Sequence, residues 1–434
     1  MDHVRELVSR HFGARGGELL VGGLPIGELA ATYGTPLFVY DSAALDRQLA
    51  NLRSGYSDRF EIYYSVKANP CPAVVRHFVE RGLGLEIASG GEFHLAVRAG
   101  CAPDRILFAG PGKTERELAY VLERGIGEIH VESSREAGRV AAISKRLGIR
   151  TRVALRVNPG AEAQGGAMRM GGKPAPFGVD EEILDEVLDG LLAEPSLDVQ
   201  GIHLYAGTQI LDDRILVTQY RRGIEIARRA ADRMGRPVRT LDFGGGLGIP
   251  YFANEAPLPL APLAEGLAEL VAELRTDSRF EGARLIIEPG RYLAGEAGIY
   301  VTRVNDIKVS RGKTFLVVDG GMNHHLAASG NLGQVIKRNF PAALLNRLDD
   351  APARKADVVG PLCTPLDVIA RDLALPAAQV GDLFGIFQSG AYARSASPLG
   401  FLSQPTPAEI VVRDGAVTVA RRAGGYEDIG EDVP

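Results

Sequence analysis

The stretch YYSVKANP, residues 63–70, is where chemistry first shows in this sequence. Tyr63, Tyr64 and Val66 favour a strand, yet the run closes on Lys67. A core strand seldom ends on an ammonium unless its stem snorkels to water or its amine has a task. The task open to such an amine is to hold a carbonyl compound as an imine. Further stretches set unusual residues at the ends of apolar runs. LEIAS carries Glu86. HLYAGTQ carries His203, Tyr205 and Thr208. DFGGGLGIPY sets a glycine turn, residues 244–248, behind Asp242, and EPGRY closes a run on Glu288, with Gly290 and Arg291 following.

Glycines let backbone N–H groups come close to a phosphate, so Gly245 and Gly246 are candidate phosphate contacts and Gly290 and Arg291 a second set. A dinucleotide fingerprint is the rival reading of the glycine run. It wants a helix opening at once and an acid at the end of the next strand; here Pro250 follows and the next helical pattern starts about ten residues on. Glu288 is either a capping or ion-paired acid, or the partner of a pyridine nitrogen. Beside pyridoxal phosphate, such an acid keeps the nitrogen protonated, and the ring then accepts carbanion electrons. Elsewhere, Cys363 in GPLCTPLD reads by itself as a small buried hydrophobe, and Tyr392 in QSGAY as a possible phosphate donor. His324 and His325 are adjacent, so they point apart on a strand and miss the i,i+4 spacing of a metal site. They read as pocket or loop residues, a solvated loop being favoured, and no metal is expected.

These residues need elements to position them. Eight β-rich runs alternate with amphipathic stretches between residues 61 and 288: 61–66, 84–88, 105–109, 128–132, 151–157, 198–205, 238–243 and 284–288. The stretches between them place apolar residues three and four apart, as a helix with one buried face requires. Eight strand–helix units predict an α/β fold, a closed (β/α)8 barrel; a doubly wound open sheet is the alternative. In such a barrel the site forms at the C-terminal strand ends, where the unusual residues gather. After about residue 290 the texture turns to β runs joined by short turns. The expected organisation is a barrel over 36–290 and an all-β, sandwich-like domain from 1–35 and 291–434.

The bulk numbers narrow the function. The 434 residues are 45% apolar with a net charge of −5, which gives no basic footprint for nucleic acid. Three cysteines, far apart and without C-x-x-C, argue against a disulfide framework or a zinc site and fit a reducing cytoplasm. No run is apolar enough to span a membrane, and the charged N-terminus is not a signal peptide.

Taken in order and spacing, YYSVKANP, LEIASGGEF, FAGPGK, HLYAGTQ, DFGGGLGIPYF, EPGRYL, GPLCTPLD and QSGAY resemble the fold-type III pyridoxal-phosphate-dependent decarboxylases, the diaminopimelate, ornithine and arginine decarboxylase group. The resemblance covers roughly residues 25 to 425. It implies a pyridoxal-binding (β/α)8 barrel with a β-sandwich-like domain and a head-to-tail homodimer with two shared active sites. It implies that Lys67 forms the imine with the cofactor and that Glu288 pairs with the ring nitrogen. Gly245, Gly246, Gly290, Arg291, Tyr392 and Thr208 would hold the phosphate, with Glu86 and His203 near the ring. Cys363, reaching over from the neighbouring subunit, would help return the proton after carbon dioxide leaves. Tyr205, His324, His325, Thr364 and Asp367 would face the substrate.

Departures from the pattern bear on the substrate. Ornithine-type enzymes stack a histidine on the ring, where this chain has Tyr205. They follow the cysteine with an acid that grips the distal amine; here Thr364 follows. The Arg-Pro-x-Leu-Tyr stretch of diaminopimelate enzymes is missing, and the insertion GGAMRMGGKPAPFGV is longer; its Arg169 and Lys173 read as solvated surface. These features resemble a biosynthetic-cluster, exosortase-associated subgroup, some of whose members act on an aminoacyl group tethered to a carrier protein. The expectation is α-decarboxylation of an amino acid or a tethered aminoacyl group. Diaminopimelate decarboxylation in lysine biosynthesis is the alternative within the family. Racemase chemistry would set an arginine, not a glutamate, against the ring nitrogen, and a non-catalytic decarboxylase-like binding protein is the alternative from another class.

Overall fold

The computed structural model describes residues 2–160, 168–169, 174–205, 207–332, 334 and 337–429. Its chain divides into two compact units, residues 49–249 with 257–292, and residues 1–48 with 250–256 and 293–434.

The first unit is a closed barrel of eight parallel strands: β1 (Phe60–Ser65), β2 (Gly84–Ile87), β3 (Ile106–Phe108), β4 (Glu128–Val131), β5 (Thr151–Asn158), β6 (Leu197–Leu204), β7 (Thr240–Asp242) and β8 (Arg284–Ile287). Each pairs with its neighbours in sequence, and β8 pairs with β1 (Leu285 opposite Phe60), which closes the ring and rules out the open sheet. Helices α1 (Pro72–Glu80), α2 (Gly90–Arg98), α3 (Glu115–Leu122), α4 (Ser134–Leu147), α5 (Leu184–Leu192), α6 (Asp213–Met234) and α7 (Leu260–Thr276) fill the expected stretches. Their starts are written locally. Ser89 and Ser133 accept from the backbone N–H three residues on, and Thr114 makes a reciprocal capping box with Glu117, which satisfies donors a helix otherwise leaves open. One irregularity matters: at Gly201 the β5–β6 register shifts, and a Cβ there would stand 2.0 Å from the Thr240 carbonyl oxygen. Only a glycine lets β6 and β7 approach this closely.

The second unit is built around the 13-residue strand Gly298–Ser310. It pairs antiparallel with Leu37–Asp41, Lys313–Val318 and Leu383–Ile386, and Leu37–Asp41 also pairs parallel with Ala408–Arg413. The N-terminal residues pack here: Leu7, Val21 and Leu29 share one buried cluster with Leu37, Ile299, Phe387 and Ile410. The segment 250–256 is held to this unit by Gln388 Nε2 donating to the Pro250 carbonyl at 2.8 Å and by Arg338 lying 3.4 Å over the Phe252 ring.

Candidate active site

Strand β1 ends at Ser65, and residues 66–68 make a single 3-10 turn in which Val66 and Ala68 are buried. Lys67 points the other way, with 42% of its side chain exposed, yet its Nζ lies 3.1 Å from both oxygens of Glu86, which is 1% exposed. Snorkelling alone therefore does not account for Lys67: a buried carboxylate on β2 holds it. Glu86 is itself fixed by the Ser65 hydroxyl at 2.5 Å, so β1 and β2 build the pair together. Glu92, opening α2, accepts from the Ala88 N–H at 2.6 Å, and burial pushes its carboxyl up to about 7.

The turn after β7 is shaped by close approach. A Cβ on Gly245 would stand 2.5 Å from the Glu288 carbonyl oxygen, and one on Gly246 (φ +109°) 2.9 Å from the Gly207 carbonyl. The helix pattern resumes only at Leu260, so this is not a dinucleotide turn. The Tyr205 ring lies against the same turn, 3.2 Å from where a Gly244 Cβ would be, and Arg156 sits 5.8 Å from its centroid. Thr208 pairs with the backbone of Met168 in the insertion, where Arg169 is also among the described residues and Lys173 lies outside them. Gly290 packs the end of β8 onto the lysine turn, its Cβ position 2.7 Å from the Ala68 Cβ, and Arg291 begins the short helix Arg291–Ala294.

Beneath the strand ends lies a fully buried polar cluster: His130 on β4, His203 on β6, Asp242 on β7 and Glu288 just past β8, each offering one ligand-type atom within 4.8 Å of the others. His203 Nε2 is 3.4 Å from Glu288 Oε2, and His130 Nδ1 is 3.9 Å from Glu288 Oε1. Burial, with His130 and Arg156 behind it, holds the His203 imidazole well below its usual value, so it is neutral. Burial and then the charge of Glu288 hold the Asp242 carboxyl well above the usual carboxylate range. Glu288 Oε1 and both His203 nitrogens have no hydrogen-bond partner among the described residues. To one side, Arg156 donates to Glu132 at 2.7 Å, and the buried Lys113 donates to Glu136 at 2.6 Å and to the carbonyls of Gly110 and His130. That explains FAGPGK as a brace for the loop after β3.

The remaining candidates lie in the second unit. Cys363 is exposed, against its reading as a buried hydrophobe, and Thr364 and Tyr392 are half-buried. His324 and His325 are not on a solvated loop. His324 is buried with its nitrogens 3.1 Å from the Tyr300 hydroxyl and the Pro405 carbonyl, and His325 is buried with one nitrogen 3.0 Å from the Ser389 hydroxyl and the other accepting from the Ala328 N–H. Burial pushes them down to about 4 and about 3. The reason is local: the chain turns back at Gly321, and both imidazoles fold inward against Tyr300. Asp367 is buried and accepts from the Met322 and Leu362 N–H groups at 2.7 and 2.9 Å, ordering the loop that carries Cys363. Sequence reasoning missed His130, Asp242 and Arg156. An acid inside the apolar run TLDF, directly before three glycines, was the available signal for Asp242.

Comparison with known proteins converges on one group. Residues 42–295 match the pyridoxal binding domain of the pyridoxal-dependent decarboxylases. The L-glutamyl-[BtrI acyl-carrier protein] decarboxylase of Niallia circulans is 37% identical over 404 residues, covering 92% of this chain and 94% of that protein. The diaminopimelate decarboxylase of Aquifex aeolicus is 34% identical, with 96% of each covered. The solved diaminopimelate decarboxylase of M. jannaschii, complexed with L-lysine, shares the fold at a TM-score of 0.88 and 24% identity over 98% of both chains.

Proposed function

This chain belongs to the fold-type III pyridoxal-dependent decarboxylases, and we propose that it removes the α-carboxylate of an amino acid, with an aminoacyl group tethered to a carrier protein as the favoured substrate. The observation that carries the chemistry is the buried Glu288 carboxylate, with an oxygen that has no donor among the described residues, in the barrel whose mouth holds the Lys67–Glu86 pair. Pyridoxal phosphate fits these residues. The turn at Gly245 and Gly246 excludes side chains where a phosphate would approach, and the orphaned Glu288 oxygen suits a protonated ring nitrogen. When bound, the cofactor supplies an electron sink for the pair left on Cα as carbon dioxide departs.

The protein's part is to hold and orient. Lys67 would hold the cofactor through its amine. Glu86 keeps the lysine in place and takes up its charge. Gly245, Gly246, Gly290, Arg291, Thr208 and Tyr392 would hold the phosphate, Tyr205 would lie near the ring, and neutral His203 would add no charge to compete with the ring for Glu288. Cys363, from a second copy of the chain in a homodimer, returns a proton to Cα. His324, His325 and Asp367 support the Cys363 side of the pocket rather than touch substrate, since their polar atoms are engaged within the second unit. The substrate assignment rests on Thr364 standing where ornithine-type enzymes have an acid, on the missing arginine motif, and on the likeness to the glutamyl-carrier enzyme. We place the protein in the cytoplasm; no helix among the described residues is long and apolar enough to cross a membrane, and none of the three cysteines forms a disulfide.

The test is carbon dioxide release from pyridoxal-loaded protein. The panel holds diaminopimelate, ornithine, lysine and arginine, with glutamate and other amino acids both free and thioester-linked to a carrier protein. Release only from a tethered substrate supports the reading. Release from free diaminopimelate replaces it with the lysine-biosynthetic one. Lys67→Ala should abolish both turnover and the cofactor's absorbance band; an active variant would sink the scheme. A wild-type protein that takes up no pyridoxal phosphate would point to a non-catalytic binding protein.

A further inference from the structure

Asp242 has no part in the residue roles above, yet it sits where two halves of the site meet. Its Oδ1 accepts from the Gly244 N–H at 2.8 Å and so fixes the start of the glycine turn. One of its carboxylate oxygens lies within 4.8 Å of one of Glu288's in the buried cluster, and neither Asp242 Oδ2 nor Glu288 Oε1 has a hydrogen-bond donor among the described residues. Two ionised carboxylates cannot face one another in a site shielded from water; a proton on one of them removes the repulsion and places a hydrogen bond between them, and the lone pairs Glu288 keeps remain open to a second donor.

The charges around the pair say which group carries it. His203, the Cα partner of Asp242 on β6, is held neutral by burial. His130 lies 3.9 Å from both acids, with its Nε2 closer, at 3.4 Å, to Glu128 Oε1. Glu128 accepts from the Thr240 hydroxyl at 2.9 Å, while Arg284, 3.9 Å away, gives its closest carboxylate contacts, 3.0–3.3 Å, to Glu61. Burial, the charge of Glu288 and then that of Glu128 favour the protonated form of Asp242.

We propose that Asp242 is a positioning residue: as the neutral acid it donates a hydrogen bond to Glu288, leaving the glutamate's single negative charge for the cofactor's ring nitrogen while its other oxygen anchors the phosphate-side turn. This rests on the pyridoxal-binding reading of the site and extends it to the residue that hydrogen-bonds Glu288.

The test uses full-length Asp242→Asn and Asp242→Ala, each titrated with pyridoxal phosphate. Binding is followed by absorbance, and the ring nitrogen's protonation by isotope-edited nitrogen NMR as a function of pH. Asparagine keeps both contacts, accepting from Gly244 and donating to Glu288. It should bind within about threefold of wild type and keep the ring nitrogen protonated over the same pH range. Alanine should bind roughly 10- to 100-fold more weakly, the scale of losing an outer-shell orienting partner, with the nitrogen losing its proton at lower pH. Alanine indistinguishable from wild type overturns the proposal. So does asparagine as impaired as alanine, because Asp242 would then act as an anion. If the alanine protein fails to fold by circular dichroism, the asparagine protein decides alone: a shifted nitrogen profile refutes the role. Wild-type protein that binds no pyridoxal phosphate would overturn the functional reading instead, and that titration comes first.

Discussion

Lys67 shows how one side chain's context changes its meaning. By sequence it could snorkel; in the fold it is gripped by Glu86, whose own position depends on the Ser65 hydroxyl. Glu86→Gln would keep the shape while halving the attraction for the ammonium. We expect cofactor loading to survive but turnover to fall by about tenfold or more, read from single-turnover rates on loaded protein. Glu92 offers a stability test at the same scale. Burial raises its carboxyl to about 7, so the folded protein holds that proton more tightly than the unfolded chain. Its stabilising contribution is full at low pH and is lost as pH rises from about 4.5 to 7. In the cofactor-free protein, Glu92→Gln should match wild type near the lower limit. Above pH 7 it should be more stable by about 1–2 kcal/mol, a figure reduced for the half-exposed side chain. Thermal unfolding across pH reads this, and a variant less stable at high pH contradicts it.

At the scale of elements, the barrel's glycines do two different jobs. Gly201 serves closure: with a Cβ position 2.0 Å from the Thr240 carbonyl, Gly201→Ala should destabilise by about 2–4 kcal/mol through forced separation of β6 and β7, measured by denaturant unfolding of the cofactor-free protein. Gly245 serves the cradle: its Cβ position faces the Glu288 carbonyl at 2.5 Å, so Gly245→Ala should cost less stability than Gly201→Ala and far more cofactor affinity. Equal losses of both quantities in both variants would erase the distinction. The helices are simpler. Their caps and apolar spacing are local, which is why all seven stretches read from sequence form.

On the scale of the whole molecule, Lys67 belongs to the barrel unit and the exposed Cys363 to the other. The proposal that they complete one another's sites across a homodimer makes a quantitative claim. Lys67→Ala and Cys363→Ala proteins, each feeble alone, should recover about a quarter of wild-type turnover when mixed and allowed to exchange, because half the dimers are then hybrids with one intact site of two. Light scattering that shows only monomer, or a mixture no better than its parts, would remove the shared site from the reading.

What the sequence determined by itself was whatever is encoded locally. The alternation of strands and amphipathic helices predicted eight strand–helix units, with the β8–β1 pairing choosing the closed barrel over an open sheet; the strand-end lysine and glutamates marked its mouth, and the early proline after GGGLG argued against a dinucleotide turn. What only the tertiary structure decided depends on distant strands meeting in the barrel and on chain reversals. His130, His203 and Asp242 lie on three strands and Glu288 just past a fourth, and only ring closure packs them into one buried cluster, where burial and the charge of Glu288 favour a proton on Asp242. The same holds for His324 and His325. In sequence they are polar neighbours in a loop; in the fold, a turn at Gly321 buries both, because each finds hydrogen-bond partners inside that water would otherwise have supplied.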